Sequence, residues 1–357
     1  MNDGACVDSE LLARLRDAAA GVDASSDWPR AQFVWLGDAG VLRWNLPREF
    51  GGEARSAVEM TSAYEALAGA CLTTTFILTQ RNAACQRIVD SENAVLRERL
   101  LPQLASGEIF ATVGISHLTT SRQHLARPAV QIEEGGSKLR VTGGVPWVTG
   151  AAEADVIVTG GTCSDGRQML LALPLDLPGI TVEPPTRLLA LNASRTASLV
   201  LEGVSVPRDL IVAGPVEGVI NRSAGGTGSV TTSALAVGLA ARSLHDLEAE
   251  GRQRADLDEI VAPLLQELDD LRRDMYAAVS VDAGSGALRV SAAVLRQRAN
   301  SLVLRVTQAH LAASKGAGYV SGHPAERAVR EALFFLVWSC PQPVVAAALR
   351  EFACLTE

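Results

Sequence analysis

The sequence predicts an α+β protein. It divides into an N-terminal helical domain (residues 1–108), a central antiparallel β domain of barrel or sandwich type (109–215) and a C-terminal four-helix bundle (216–357). Three observations carry this. Helical periodicity and helix stops dominate the first hundred residues. Short strand-like runs separated by Gly and Pro fill the next hundred, with no helical period among them. Four long amphipathic segments with short connections then follow, the pattern of an antiparallel bundle.

In order along the chain, Leu11, Leu12, Leu15 and Ala18 share one helical face. Pro47 and Gly51-Gly52 break the pattern, and Ser56 with Glu59 forms an S-x-x-E capping box that opens a helix running to about Ala70. Two further helices are expected over 74–90 and 92–105, the second closed by Gly107. Residues 110–115 read as a strand, and 129–133 and 138–142 flank Glu134-Gly135-Gly136-Ser137 as a hairpin. Strand-like runs continue at 155–160, 168–173, 180–184 and 197–203. The bundle helices are expected at 229–250, 257–278, 288–315 and 326–338.

The chain has 357 residues, 48% hydrophobic and 20% charged, with a net charge of −8 and no dense Lys/Arg cluster, which argues against nucleic acid as a partner. The six cysteines show no C-x-x-C spacing, so zinc and thioredoxin-like readings are weak, and their low density points to a reducing compartment. No basic-then-apolar pattern of a signal peptide opens the sequence. The apolar run 332–338 is far short of the about 20 residues that span a bilayer. The expectation is a cytoplasmic protein with no membrane contact. No G-x-G-x-x-G follows a strand, and the central block has no βαβ alternation, so a Rossmann reading has little support.

One stretch stands out chemically. Gly143-Gly144-Val145-Pro146-Trp147-Val148-Thr149-Gly150 follows the hairpin and precedes a strand. Trp147 and Thr149 there offer a flat apolar face and a hydroxyl to a planar cofactor; alternatively the Trp plugs the sheet edge.

The order of regions, taken with five short motifs, resembles the acyl-CoA dehydrogenase family over nearly the whole chain. The motifs are Leu46-Pro47-Arg48-Glu49-Phe50-Gly51-Gly52, the run from Leu100 to Glu108, Trp147-Val148-Thr149, the run from Leu201 to Pro207, and Gly318-Tyr319 with Pro324, Glu326, Arg327, Arg330 and Glu331. The resemblance implies FAD held between the β domain and the C-terminal bundle, an acyl-CoA or other acyl thioester as substrate, a carboxylate that removes the α-proton, and a homo- or hetero-oligomer. It places Trp147, Val148 and Thr149 along the flavin ring. Thr120 or Ser121 would offer a hydroxyl to the pyrophosphate, and Arg252 would serve the phosphate.

The chain departs from the family pattern where the chemistry is concentrated. Ser339 occupies the usual position of the catalytic Glu, and a hydroxyl accepts no proton near neutral pH without its own base. The alternative family position, just before an Arg on the first bundle helix, corresponds to Gly228-Ser229. A Gln that contacts the cofactor is replaced at Ala312, and Pro341 stands where the family has a Thr. His117 and His124 lie in the altered loop after the first strand, where one is a candidate relocated base and both also read as loop histidines. His323 reads as structural and Cys340 as a buried inert thiol, since no Lys or Arg neighbours it in sequence. Three functions fit: an FAD-dependent oxidoreductase acting on the CH–CH bond of an acyl thioester, a flavin monooxygenase or oxidase on the same fold, and a base-lacking subunit that pairs with a complete homologue.

Overall fold

A computed structural model of the chain describes residues 7–119, 127–222, 230–251, 254–280 and 290–355. Five helices come first: α1 (Ser9–Ser25), α2 (Arg30–Asp38), α3 (Ala57–Ala70), α4 (Leu72–Val89) and α5 (Ala94–Ser106). The capping box is formed as the sequence predicts. Ser56 Oγ accepts from Glu59 N at 3.3 Å, and Ser56 N donates to Glu59 Oε2 at 2.7 Å. Gly107 closes α5 with φ +76°, a left-handed conformation in which glycine carries no Cβ penalty.

The central region holds β1 (Ala111–Gly114), the short α6 (Ser116–Thr119), β2 (Val130–Gly135), β3 (Lys138–Val148), β4 (Val156–Cys163), β5 (Gln168–Pro174), β6 (Ile180–Val182), β7 (Ala197–Pro207) and β8 (Ile211–Val216). They form one sheet in the order β6-β7-β3-β2-β4-β5-β8, with β1 added against β4. Two expectations are corrected. The sheet is mixed, because β1 and β2 both run parallel to β4. Its strand path is also open, ending in β6 and β8, so it closes no barrel. Side-chain alternation records which face a residue takes and carries no information on strand direction. β1 pairs with β4 over 156–159 and β2 pairs with it over 162–163, so the chain leaves the edge of β4 after Gly114 and returns to it at Gln131.

The last region contains α7 (Val230–Gly251), α8 (Asp258–Val279), α9 (Ala292–Ala313), α10 (Lys315–Gly318), α11 (Pro324–Leu333) and α12 (Gln342–Phe352). α7, α8 and α9 pack on one another, and α11 takes the fourth place against α9 and α7. The fourth helix is shorter than the periodicity predicts. After Leu333 the chain tightens into a 3-10 turn over Phe334–Leu336, and Pro341 and Pro343 then restart it as α12. Among the described residues, no helix is long and apolar enough to cross a membrane.

Two cores result. One gathers α1, α3, α7, α8, α9 and α11, so helices from both ends of the chain share it. The other lies under the sheet and α5. α4 belongs to both: Leu72, Phe76 and Leu78 join the first, and Ala84, Cys85 and Ile88 the second. That division explains why α4 is buried on most of its faces, polar residues such as Thr73, Arg81 and Asn82 included.

Candidate active site

The Trp147 stretch is the last part of β3. Val145 pairs with Leu199 of β7 and Val148 with Ala197, so three steps along β3 match two along β7. The extra residue makes a β-bulge, which re-aims a side chain. Trp147 sits in it with φ +58°, a conformation that costs a non-glycine residue about 1–2 kcal/mol. The residue is 53% exposed, whereas Val145 and Val148 to either side are fully buried. The reading of Trp147 as a plug of the sheet edge does not fit a side chain so exposed.

Neighbouring strands hold the bulge in place. A Cβ built on Gly114 would lie 2.7 Å from Val148 Cγ2 and 2.9 Å from Val145 Cγ1, so only glycine lets β1 approach β3 this closely. Ser116 Oγ donates to the Pro146 carbonyl at 3.3 Å and ties the start of α6 to the bulge. Past the bulge, Thr149 is only 3% exposed, and its hydroxyl lies 3.4 Å from that of Thr196. Thr196 in turn lies 2.8 Å from Ser194 Oγ. Gly150 then turns the chain with φ +62°, its N–H donates to the Ser194 carbonyl at 2.8 Å, and the Trp28 ring fills the space a Cβ would need.

The other candidate position is the turn that carries Ser339. Ser339 is half-buried and adopts φ +50°. Trp338 before it stacks on Phe334 at 5.2 Å, and both rings meet Phe76 of α4 edge-on, at 5.2 and 4.8 Å. α4 also packs along β1. It therefore braces the Ser339 turn and the strand that supports the bulge. From behind, α9 grips the turn by its carbonyls: Arg296 Nη2 donates to Trp338 O at 2.8 Å, and Asn300 Nδ2 to Phe335 O at 2.8 Å. The Cys340 thiol donates to Phe335 O and Trp338 O at 3.1 and 3.3 Å.

The remaining sequence candidates resolve differently. Thr120, Ser121, His124, Arg252 and the Gly228-Ser229 pair lie outside the described residues. His117 is buried rather than a loop surface residue, with Nε2 2.8 Å from the Gly160 carbonyl. His323 caps α11, its Nδ1 accepting from Ala325 N at 3.1 Å, which is the structural role expected of it. Cys340 is buried as expected, but a cation does stand beside it, the Arg296 guanidinium from α9. The late motif is structural at Arg330, whose fork grips Asp23 of α1 at 2.6 and 3.1 Å and also bonds Glu326. Glu331 is buried, with Arg327 no nearer than 3.9 Å, and burial pushes its carboxyl up to about 7.

Sequence reasoning missed Gly114, Ser116, Asn300 and Arg296. For Arg296 a signal existed: it lies on the same stripe of α9 as the buried Ala299, Asn300 and Val303.

Residues 7–108 match the model of the acyl-CoA dehydrogenase N-terminal domain. Over 331 residues the chain is 25% identical to a probable acyl-CoA dehydrogenase, YngJ, of Bacillus subtilis, covering 87% of this chain and 86% of that protein. Among solved structures, butyryl-CoA dehydrogenase from Megasphaera elsdenii superposes with a TM-score of 0.82 at 18% identity, over 97% of each chain. KijD3, solved with FMN and a dTDP-linked amino-keto sugar, superposes with a TM-score of 0.78 at 20% identity, over 98% of this chain and 92% of that one. Residues 7–108 are thus of acyl-CoA dehydrogenase type, and over nearly its whole length the chain shares the fold of that family's members.

Proposed function

We propose that this protein is an FAD-dependent oxidoreductase that acts on the CH–CH bond of an acyl thioester. The observation that carries the reading is Trp147, a large aromatic ring held half-exposed at positive φ by a β-bulge. Strained backbone that its surroundings hold in place is concentrated at ligand sites. The described part of the site fits a flat ring: Trp147 offers a face, and Thr149 a hydroxyl whose one partner among the described residues is 3.4 Å away. Thr120, Ser121 and Arg252 are the proposed pyrophosphate contacts. The bound flavin supplies the hydride acceptor. The chain's own residues orient it through the bulge and keep water from its Thr149 side, which is buried. YngJ and the butyryl-CoA dehydrogenase, by their names, act on acyl-CoA, which supports the substrate class.

An absorbance spectrum of the purified protein before and after addition of FAD tests the cofactor. A saturable flavin spectrum that bleaches anaerobically with butyryl-CoA supports the reading. Colourless protein that FAD does not change rejects it.

A second reading rests on Ser339. With a hydroxyl at this turn the chain has no proton acceptor there, and a flavin monooxygenase needs none. The fold is shared with KijD3, which was solved with FMN and a dTDP-linked sugar and not with an acyl thioester. Oxygen uptake that requires a separate flavin reductase and ignores acyl-CoA would favour this alternative.

A further inference from the structure

Arg296 is the one buried arginine of α9, fully out of contact with solvent. Among the described residues no carboxylate forms an ion pair with it, and its Nε and Nη1 have no hydrogen-bond partner. Its contacts are the Trp338 carbonyl, the Cys340 sulfur beside it, and the rings of Trp338 and Phe335 at 5.3 and 5.6 Å. Three neighbouring charged groups are engaged elsewhere. Arg298 pairs with Asp274, Arg305 with Glu267, and Glu351 accepts from Ser301. A guanidinium does not lose its proton in a protein, and a buried charge is normally compensated. Here the cation stands directly behind the peptide that leads into Ser339, and Ser339 brings no charge of its own.

We propose that the Ser339 turn is an anion subsite: the buried charge of Arg296, which has no carboxylate partner among the described residues and acts through the Trp338 carbonyl that it holds, attracts a carboxylate-bearing small molecule to this turn, where the Ser339 hydroxyl donates to it. The local field there is positive. A ligand with an acid group, whether a free carboxylate or the acid end of a larger substrate, is recognised, and an uncharged hydrocarbon end gains nothing from the cation. This holds whether or not a flavin binds at the Trp147 bulge, so the two are tested separately.

The sign of the field is read from a matched pair of variants, Ser339→Glu and Ser339→Gln, which have the same shape and differ in charge. If the subsite exists, the Glu variant melts higher than the Gln variant by roughly 2–4 °C, because its carboxylate is attracted by Arg296. The difference disappears when both are made in an Arg296→Gln background. A Glu variant that melts at or below the Gln variant overturns the proposal, since a half-buried carboxylate without a cation is destabilising. If the arginine replacement does not fold, the single-substitution pair still decides. The ligand side is tested on the wild-type chain with sodium acetate against sodium chloride at equal ionic strength. A saturable change in tryptophan fluorescence with acetate, absent in Ser339→Glu, supports the subsite. No saturable response in the wild type overturns it.

Discussion

Gly114 and Val148 stand so close that a methyl group on the glycine would lie 2.7 Å from Val148 Cγ2. The end of β1 is thereby pressed against the residue that follows the bulged tryptophan. Gly114→Ala forces one strand to shift, and overpacking of this kind costs about 1–3 kcal/mol. The expected result is a lower melting temperature together with weaker FAD binding, because the shift displaces the bulge. Calorimetry and a flavin titration on the same preparation check it.

Trp147 separates a ligand platform from a structural plug. In Trp147→Gly, removal of an exposed ring at positive φ leaves stability within about 1 kcal/mol of wild type. A buried plug would lose about 3–5 kcal/mol. FAD affinity is expected to fall at least tenfold, about 1.4 kcal/mol. Denaturant unfolding and a flavin titration give the two numbers. A large loss of stability with unchanged affinity would return Trp147 to the sheet edge.

Thr149→Val keeps shape and removes the hydroxyl. Its neighbour Thr196 still has Ser194 at 2.8 Å, so the buried pair is not orphaned. A net hydrogen bond is worth about 0.5–1.5 kcal/mol. FAD affinity is expected to drop by that amount with little change in melting temperature. An unaltered dissociation constant would remove Thr149 from the cofactor site.

Glu331 makes stability depend on pH in an uncommon direction for a carboxylate. Burial raises its folded value from 4.5 to about 7. The folded state therefore holds a proton that the unfolded chain gives up. The contribution is fully present below about 4.5 and is lost as pH rises through about 7. Glu331→Gln, which cannot ionise, is expected to flatten this slope and to be the more stable protein above neutrality. Urea unfolding at several pH values decides; parallel curves for the two proteins would contradict it.

What the sequence showed and what it hid differ by the range of the interaction involved. The capping box at Ser56 and the stop at Gly107 depend on neighbours within a turn, and both were legible. The order of regions was legible because each carries its own period. The parallel pairing of β1 and β2 with β4 was not, since alternation is blind to direction. The bulge at Trp147 arises from a mismatch of register between β3 and β7, which no single strand records. Cys340 looked remote from any cation because Arg296 reaches it from another helix. The tryptophan stretch was found by its chemistry, and its unusual backbone became visible only in three dimensions.

The grip of Arg330 on Asp23 joins positions 307 residues apart. The opening helix is thus a fastening for α11, the segment that leads into the Ser339 turn. A tag, cleavage or truncation at the front of the polypeptide acts at a distance. Such a preparation can lose its behaviour at the far end while every residue there is intact. Asp23→Asn would mimic the loosening by a single atom, at a cost of about 1–2 kcal/mol.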